Sequence, residues 1–196
     1  MKTKLLFVIV FCFFVQIVNA QTYGIKGGVN FANLTISEAG MNVSPKSITS
    51  FHFGVVADFK LQGDLYLNTG LLYSLKGAKA DVEGVTGTEK LHYLEIPVNL
   101  AYKFPINETS KFFIQAGPYF GYALSGKDES GGESTDLFNS GSYYKRFDCG
   151  LGFGAGVEFG PLVATLGYEL GLANIYDYSG AKLKNKVFQI SLAYMF

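Results

Sequence analysis

The last ten residues, 187–196, alternate between large apolar side chains and small or polar ones. The apolar positions are Phe188, Ile190, Leu192, Tyr194 and Phe196. A period of two residues is typical of a β-strand with one apolar face. Such a strand needs a hydrogen-bonding partner at each edge and an apolar solvent at one face. Closure of a β-barrel within a membrane would supply both, so this segment constrains the fold strongly.

Seven earlier segments show the same alternation. The predicted strands are 22–33, 49–61, 65–78, 89–104, 111–125, 145–159 and 162–173. Long connections are predicted at 34–48, 79–88, 126–144 and 174–185, and short ones at 62–64, 105–110 and 160–161. An even number of strands, with short turns at one end and long loops at the other, is typical of outer-membrane proteins. We therefore predict an all-β fold, an eight-stranded antiparallel up-and-down transmembrane β-barrel.

Charged residues of the predicted strands fall on the face opposite the apolar one. They are Lys26, Lys60, Lys76, Lys103 and Arg146, together with Asp58, Glu95, Asp148, Glu158 and Glu169. A charge that faces lipid at mid-depth costs ~2–4 kcal/mol, so we expect these residues to form a luminal charge network. The interior of an eight-stranded barrel is just wide enough to be filled by side chains. A closed plug is therefore expected in place of a conducting pore.

Four glycines leave one wall of the predicted bore without side chains. They are Gly150, Gly152, Gly154 and Gly156. We expect Tyr66, Tyr93 and Tyr119, or the long charged side chains, to fill this space from across the bore. A small ligand cavity lined by the glycines is the alternative.

The predicted strands show two further features, aromatic residues at both ends of their outward faces and prolines within two of them. Aromatic residues gather near both ends of the outward faces, as at bilayer interfaces. One predicted girdle holds Tyr23, Phe59, Tyr102, Phe104, Phe112, Phe159, Tyr194 and Phe196, and the other holds Phe31, Phe51, Phe53, Tyr73, Phe120, Tyr122 and Phe188.

Pro97 and Pro118 fall within strands, and proline removes a backbone donor. We expect a bulge or a missing hydrogen bond at Pro97.

Residues 1–20 have the pattern of a secretory signal peptide, with a basic start at Lys2 and Lys4, an apolar run and small residues before Ala20. Cleavage there would leave 21–196 as the barrel domain. The mature chain would carry 14 basic and 16 acidic residues, because the removed segment takes two of the 16 lysines and arginines and none of the 16 acids. This balance lacks the basic excess of a protein that binds nucleic acid.

The motifs that could carry chemistry are weak. Residues 121–128 resemble a phosphate-binding loop, but the last residue is Asp and no helical pattern follows. His52 and His92 are isolated, without the Cys and His cluster of a metal site. Some small barrels are lipid-modifying enzymes that use a histidine near the outer rim, so His52 with Ser50, or His92 with Glu89, is a catalytic alternative. We predict no enzyme activity, no catalytic residue, no cofactor and no metal.

Four stretches of the chain resemble one known family. They are GIKGGVNFAN at 24–33, GLLYSLKG at 70–77, LHYLEIPVNLAYKF at 91–104 and QAGPYFGY at 115–122. These stretches resemble the PorT-like outer-membrane β-barrel domain family of Bacteroidetes, and the Leu-Glu-Ile-Pro segment is the most specific. The resemblance implies an eight-stranded outer-membrane barrel. It does not imply one function, since some relatives are associated with protein secretion machinery.

These observations together predict a small closed barrel with a structural, adhesive or partner-binding role. The partner would bind at the extracellular loops 34–48, 126–144 and 174–185. The expected surroundings are outer-membrane lipid and, during assembly, the barrel-assembly machinery, which would engage the C-terminal strand. The alternatives are a narrow porin-like channel for small solutes and a lipid-modifying enzyme.

Overall fold

A computed structural model describes residues 21–38, 41–43, 45–82, 85–139, 141–178 and 181–196; the predicted signal peptide lies outside these ranges. The described residues form ten strands. They are β1 Gln21–Glu38, β2 Met41–Val43, β3 Lys46–Gln62, β4 Leu65–Val82, β5 Val85–Pro105, β6 Ser110–Ser130, β7 Glu133–Asp136, β8 Phe147–Phe159, β9 Leu162–Gly171 and β10 Ala181–Met195. Within the described residues, no helix has the length and hydrophobicity required to span a membrane.

Eight of these strands form a closed antiparallel ring. Each strand pairs with its neighbours in chain order, and β10 returns to pair with β1. Val29 of β1, for example, lies between Ile190 of β10 and Phe51 of β3. The short strands β2 and β7 are hairpin extensions of β1 and β6 at the loop end. The predicted eight-stranded up-and-down barrel is confirmed.

The two faces of each strand have opposite environments. On β10, Val187 and Ser191 are buried, whereas Leu192 is 66% exposed on the outer surface. Large apolar side chains cover the outside of every strand of the ring, from Tyr23 on β1 to Tyr194 on β10. Because water would solvate such a surface poorly, the outer face requires a lipid environment.

The strands are longer at the loop end than the sequence predicted. β1 continues to Glu38 and β6 continues to Ser130, so much of the predicted loops 34–48, 79–88 and 126–144 is strand. The additional residues continue the antiparallel pairing above the aromatic girdle, where backbone groups gain partners that a loop would lack. At the other end, Gly63 and Gly160 adopt positive φ in the predicted short turns.

Two irregularities interrupt the regular pairing. The pairing of β4 with β5 stops between Val98 and Glu95, as expected around Pro97. A register shift between β5 and β6 pairs Tyr93 with Ala123 but His92 with Ser125, which leaves one additional residue in β6. This bulge reverses the alternation, so Ser125 is exposed on the outer side.

An apolar cap closes the loop end of the bore. Its buried members include Leu34, Leu91 and Tyr93 from the barrel wall. Leu137, after β7, and Ile175, between β9 and β10, are buried against them. Two loops therefore fold over the mouth of the barrel, and a cavity of about 240 Å³, lined by Leu34, Ala78 and Glu89 among others, remains beside them.

Candidate functional site

Lys76 lies at the centre of a buried ionic cluster inside the barrel. Its Nζ is 2.5 Å from Oε2 of Glu95 and 2.8 Å from Oε2 of Glu169. A third carboxylate, Asp148, lies 3.9 Å away. The ring of Tyr119 is centred 4.2 Å from the same ammonium, and its hydroxyl donates to Asp148. One buried cation thus serves three carboxylates that come from β5, β8 and β9.

Neutral amides offset part of the excess negative charge in this cluster. Gln189 donates to Oε1 of Glu169 at 2.9 Å, and Asn185 donates to Oδ2 of Asp148 at 2.9 Å. Hydrogen bonds to a carboxylate are stronger than neutral ones because the acceptor is charged. Both amides come from β10, so the cluster joins the last strand to the rest of the ring.

A second ionic cluster lies nearer the short turns. Lys103 of β5 bridges Asp58 of β3 and Glu158 of β8. Asn68 donates to Asp58 at 2.8 Å, and the ring of Tyr66 is centred 4.2 Å from Nζ of Lys103. Lysine again bridges carboxylates from strands that are not neighbours. Both clusters therefore connect opposite walls of the barrel through its interior.

The remaining predicted network residues occupy different places. Lys26 lines the space beside both clusters, between Glu169 on one side and Asp58 on the other. Lys60 is exposed at the turn end of β3. Arg146 precedes β8, outside the strands. Within the described part of the chain, Lys60 and Arg146 form no ion pair with either cluster, so the prediction that they share the luminal network is wrong.

The position of Arg146 has a local cause. Its Nη1 donates to the carbonyl oxygens of Ala123 at 2.9 Å and Leu124 at 3.1 Å. These two residues lie in the β6 bulge, which removes regular ladder partners. The guanidinium also lies 4.4 Å from the ring centre of Phe138. Arg146 thus stabilises the bulge and the adjoining loop, and does not compensate charge in the bore.

Little free space remains around the ionic clusters. The cavity beside Lys103 holds about 20 Å³ and the cavity beside Glu169 about 30 Å³. Each is close to the volume needed for a single water molecule. Side chains of β6 cover the glycine row, since an added Cβ would lie 2.6 Å from Tyr119 at Gly150 and 2.5 Å from Phe113 at Gly156. Tyr119 was predicted to fill this space, and Phe113 was not.

His52 is part of a buried triad. Its Nδ1 lies 2.7 Å from Oδ1 of Asn30 and its Nε2 lies 2.9 Å from Oγ of Ser191. The Asn30 amide donates to other acceptors, including Oγ of Ser74, so Nδ1 carries the proton and Nε2 accepts from Ser191. This order of contacts matches that of a catalytic triad, with Ser191 as the nucleophile, His52 as the base and Asn30 as the group that orients the base. All three triad residues are nearly inaccessible, and the cavity that Ser191 adjoins, about 30 Å³, is too small for a lipid ester.

The predicted catalytic pairs at the rim are not formed. His52 points into the bore and contacts Ser191, while Ser50 donates to the carbonyl of Leu75. His92 lies on the outer face, hydrogen-bonded to the hydroxyl of Tyr73. Glu89 and His92 are odd and even positions of β5 and therefore face opposite sides of the strand. Ser50 and His52 share the inner face of β3, but each hydrogen-bonds to a different partner.

A cluster of tyrosines covers the loop end of the barrel. We name Tyr143, Tyr176 and Tyr178 the tyrosine platform. The ring of Tyr143 is centred 5.1 Å from that of Tyr178 and 6.0 Å from that of Tyr176. Tyr143 is 49% exposed and Tyr178 is 52% exposed. The amide of Asp177 donates to the carbonyl of Tyr143 at 2.7 Å, so the two loops are joined by their backbones.

Glu89 fastens the platform to the barrel wall. The hydroxyl of Tyr144, which packs on Tyr176, donates to Oε1 of Glu89 at 2.7 Å. Burial raises the pKa of Glu89 above its ordinary value; the hydrogen bond from Tyr144 partly opposes this rise, and the nearby Asp128 adds to it. Burial also raises the pKa of Tyr144. The contact is therefore sensitive to the protonation of Glu89.

Replacing Glu89 by glutamine should remove a pH dependence from the attached loop. The pKa of Glu89 in the folded state is raised above its unfolded value, so its contribution to stability is present below the ordinary pKa of 4.5 and is lost as pH rises through the raised value. Hydrogen exchange of amides 141–146, corrected for intrinsic rates, should be slower at pH 4 than at pH 7. Glu89→Gln should abolish that difference and the exposed control Glu133→Gln should keep it. An undiminished difference in Glu89→Gln would contradict the assignment.

Solved structures similar to this chain are bacterial surface and outer-membrane barrels. Neisserial surface protein A, NspA, is 15% identical over 91% of this chain and 100% of that chain, with a TM-score of 0.52. Ail, the attachment invasion locus protein of Yersinia pestis, is 20% identical over 89% of this chain and 98% of that chain, with a TM-score of 0.44. The N-terminal barrel domain of Pseudomonas aeruginosa OprF is 11% identical over 86% and 97%, with a TM-score of 0.43.

The sequence comparisons identify the family. No curated protein matches the chain. The profile described as "Outer membrane protein beta-barrel domain" matches residues 19–177, which is well over half of the chain. The apolar exterior and closed ring agree with this description. The protein is an outer-membrane β-barrel and belongs to the outer membrane protein beta-barrel domain family.

Proposed function

We propose that this barrel serves as a surface binding or adhesion protein whose partner docks on the tyrosine platform. The observation that carries the proposal is the exposure of Tyr143 and Tyr178 on loops that are fastened to the barrel. Tyrosine supplies a large contact area at low cost in side-chain entropy, and it is enriched in binding surfaces. Ile175 anchors the platform in the bore, so binding would not have to order a free loop.

The packed interior supports a binding role over transport. The cavities beside the two ionic clusters hold about one water each, and the apolar cap covers the mouth. We propose that Lys26, Lys76 and Lys103, with their five carboxylate neighbours, are a structural plug. A narrow porin would need a continuous aqueous path, so the plug and the cap favour binding at the outer surface.

Loss of the platform rings should weaken binding strongly without affecting the barrel. Outward-facing vesicles that carry Tyr143→Ser and Tyr178→Ser should bind target cells at least tenfold more weakly than wild type, because hot-spot tyrosines contribute roughly 2 kcal/mol or more each. The control Glu133→Ser and Asp136→Ser changes two exposed residues of β7, outside the platform. Equal binding by the tyrosine variant would refute the platform. Stepwise conductance of the wild type in planar bilayers would favour the porin alternative.

Several finer features belong to the same proposal. Residues 1–20 would direct export and be cleaved after Ala20, and the C-terminal strand β10 would be recognised by the barrel-assembly machinery. Membership of the PorT-like subfamily would make a component of protein secretion machinery a suitable partner for the platform. The alternation that marks the last strand and the basic, apolar start of the chain support these assignments.

A further inference from the structure

Three lysines stand on the outer face of β10, and we name Lys182, Lys184 and Lys186 the lysine ladder. The residues between and after them, Leu183, Asn185 and Val187, are buried inside the barrel. Lys182 is exposed, and Lys184 and Lys186 are half-buried. Because alternate residues of a strand share a face, the ladder continues the outer face of Phe188, Ile190 and Leu192.

The ladder begins where the apolar outer surface ends. Phe188 belongs to the aromatic girdle at the loop end, and its ring centre lies 6.1 Å from that of Phe31. From Phe188 to Phe196 the outer face of this segment is apolar, a distance of roughly 27 Å along the strand at 3.3–3.4 Å per residue. At a tilt of about 40° this spans roughly 20 Å of membrane, comparable with an apolar band of about 25 Å. Lys186, two residues above Phe188, therefore lies at headgroup level.

The ladder lysines differ in their ion pairs from Lys90 and Lys145, which lie at the same end of the barrel. Within the described ranges, none of the three lysines forms an ion pair. Their register partners on β1 are Asn33, Thr35 and Ser37, which are uncharged. Two other lysines at this end are paired: Nζ of Lys90 lies 2.7 Å from Glu129, and Nζ of Lys145 lies 2.7 Å from Asp177. The ladder is thus a local excess of three positive charges beside lipid.

We propose that the lysine ladder binds the phosphate of a lipid headgroup in the outer leaflet. The Cα atoms of successive ladder lysines lie about 6.7 Å apart along the strand, so two neighbouring ammonium groups can contact one phosphate from two sides. Lysine binds phosphate as a point charge and needs no fixed geometry, which suits a mobile headgroup. The lipid tails would lie along Phe188 and Ile190 below. The site is separate from the tyrosine platform and does not depend on it.

Native mass spectrometry of the detergent-solubilised protein tests this site with phosphatidic acid as the probe and diacylglycerol as its phosphate-free counterpart. We expect phosphatidic acid to bind and diacylglycerol not to bind. Lys184→Gln with Lys186→Gln should weaken phosphatidic acid binding roughly 25-fold, at about fivefold per lysine near an anionic headgroup. The matched control, Lys90→Gln with Lys145→Gln, removes the same charge at the same end of the barrel and should bind like wild type.

Each remaining outcome decides against the proposal. Equal weakening in the ladder and control variants would show a general charge effect. Equal binding of a long-chain fatty acid would show that charge alone is recognised and that phosphate is not. Displacement of the lipid by inorganic phosphate would identify a site for the free ion and not for a headgroup. Because the ladder faces outward, both variants should keep the heat-modifiable migration of a folded barrel.

Discussion

Replacing Lys76 by methionine should lower the free energy of unfolding by about 3–5 kcal/mol, the largest loss we expect from a single substitution in this barrel. Methionine keeps the length of the side chain but leaves Glu95, Asp148 and Glu169 without their shared cation. Removal of the cation costs much more free energy than the ion pairs had contributed to stability. The desolvation cost of each buried carboxylate is then no longer offset by an ion pair.

Urea unfolding followed by circular dichroism, in micelles or vesicles, measures this effect. Lys60→Met is the matched control, because it makes the same substitution at an exposed position at the turn end of β3. We expect this control to change the stability by less than about 0.5 kcal/mol. A loss below about 1 kcal/mol in Lys76→Met would mean that the central cluster does not hold the strands together.

Arginine on the outer face of β9 should destabilise the barrel more when it lies near the middle of the bilayer than when it lies near an interface. Leu166 and Leu162 lie on the same face of the same strand and have the same 54% exposure. Leu166 pairs with Ile190 in the middle of the apolar surface, whereas Leu162 pairs with Phe159 beside the short turn. Arginine costs ~2–4 kcal/mol at the bilayer midplane and ~0–1 kcal/mol near an interface.

We therefore expect Leu166→Arg to reduce the stability in phospholipid vesicles by roughly 2–4 kcal/mol, and Leu162→Arg by at most about 1 kcal/mol. Equal exposure of the two leucines means that a difference reports depth in the bilayer and not packing. Similar losses in both variants would contradict the membrane placement of β9. A gain in solubility without lipid, with both variants folded, would contradict it as well.

The interior shows what the charge pattern of the sequence could predict and what it could not. Parity along the strands predicted that Lys76, Glu95 and Glu169 face inward, and the structure places them together in one cluster. Parity cannot assign partners, because the pairs depend on the stagger of strands far apart in sequence. Lys60 and Arg146 have the right parity for the bore, but one is exposed at the turn end and the other precedes its strand.

The loop end was the least predictable part of the molecule. Nothing local marks Ile175 or Leu137 as part of the apolar cap, since each lies in a predicted loop beside only one aromatic residue and polar neighbours. Tyr143 and Tyr178 are 35 residues apart and meet because two loops cross the mouth of the barrel. The tyrosine-rich composition of 143–144 and 176–178 was the available signal, and it became informative only with the loops in place.

Alternation along the chain was sufficient to determine the number of strands in the ring, its closure, the lipid-facing side and the inward direction of the residues that form the two ionic clusters. Each of these follows from local chemistry, because the two faces of a strand must meet two different solvents. Tertiary structure alone decided that Lys76 serves three acids, that His52 is bonded to Ser191, and that the tyrosines assemble above the apolar cap. These contacts join residues that only strand register, the β6 bulge and loop docking bring within bonding distance.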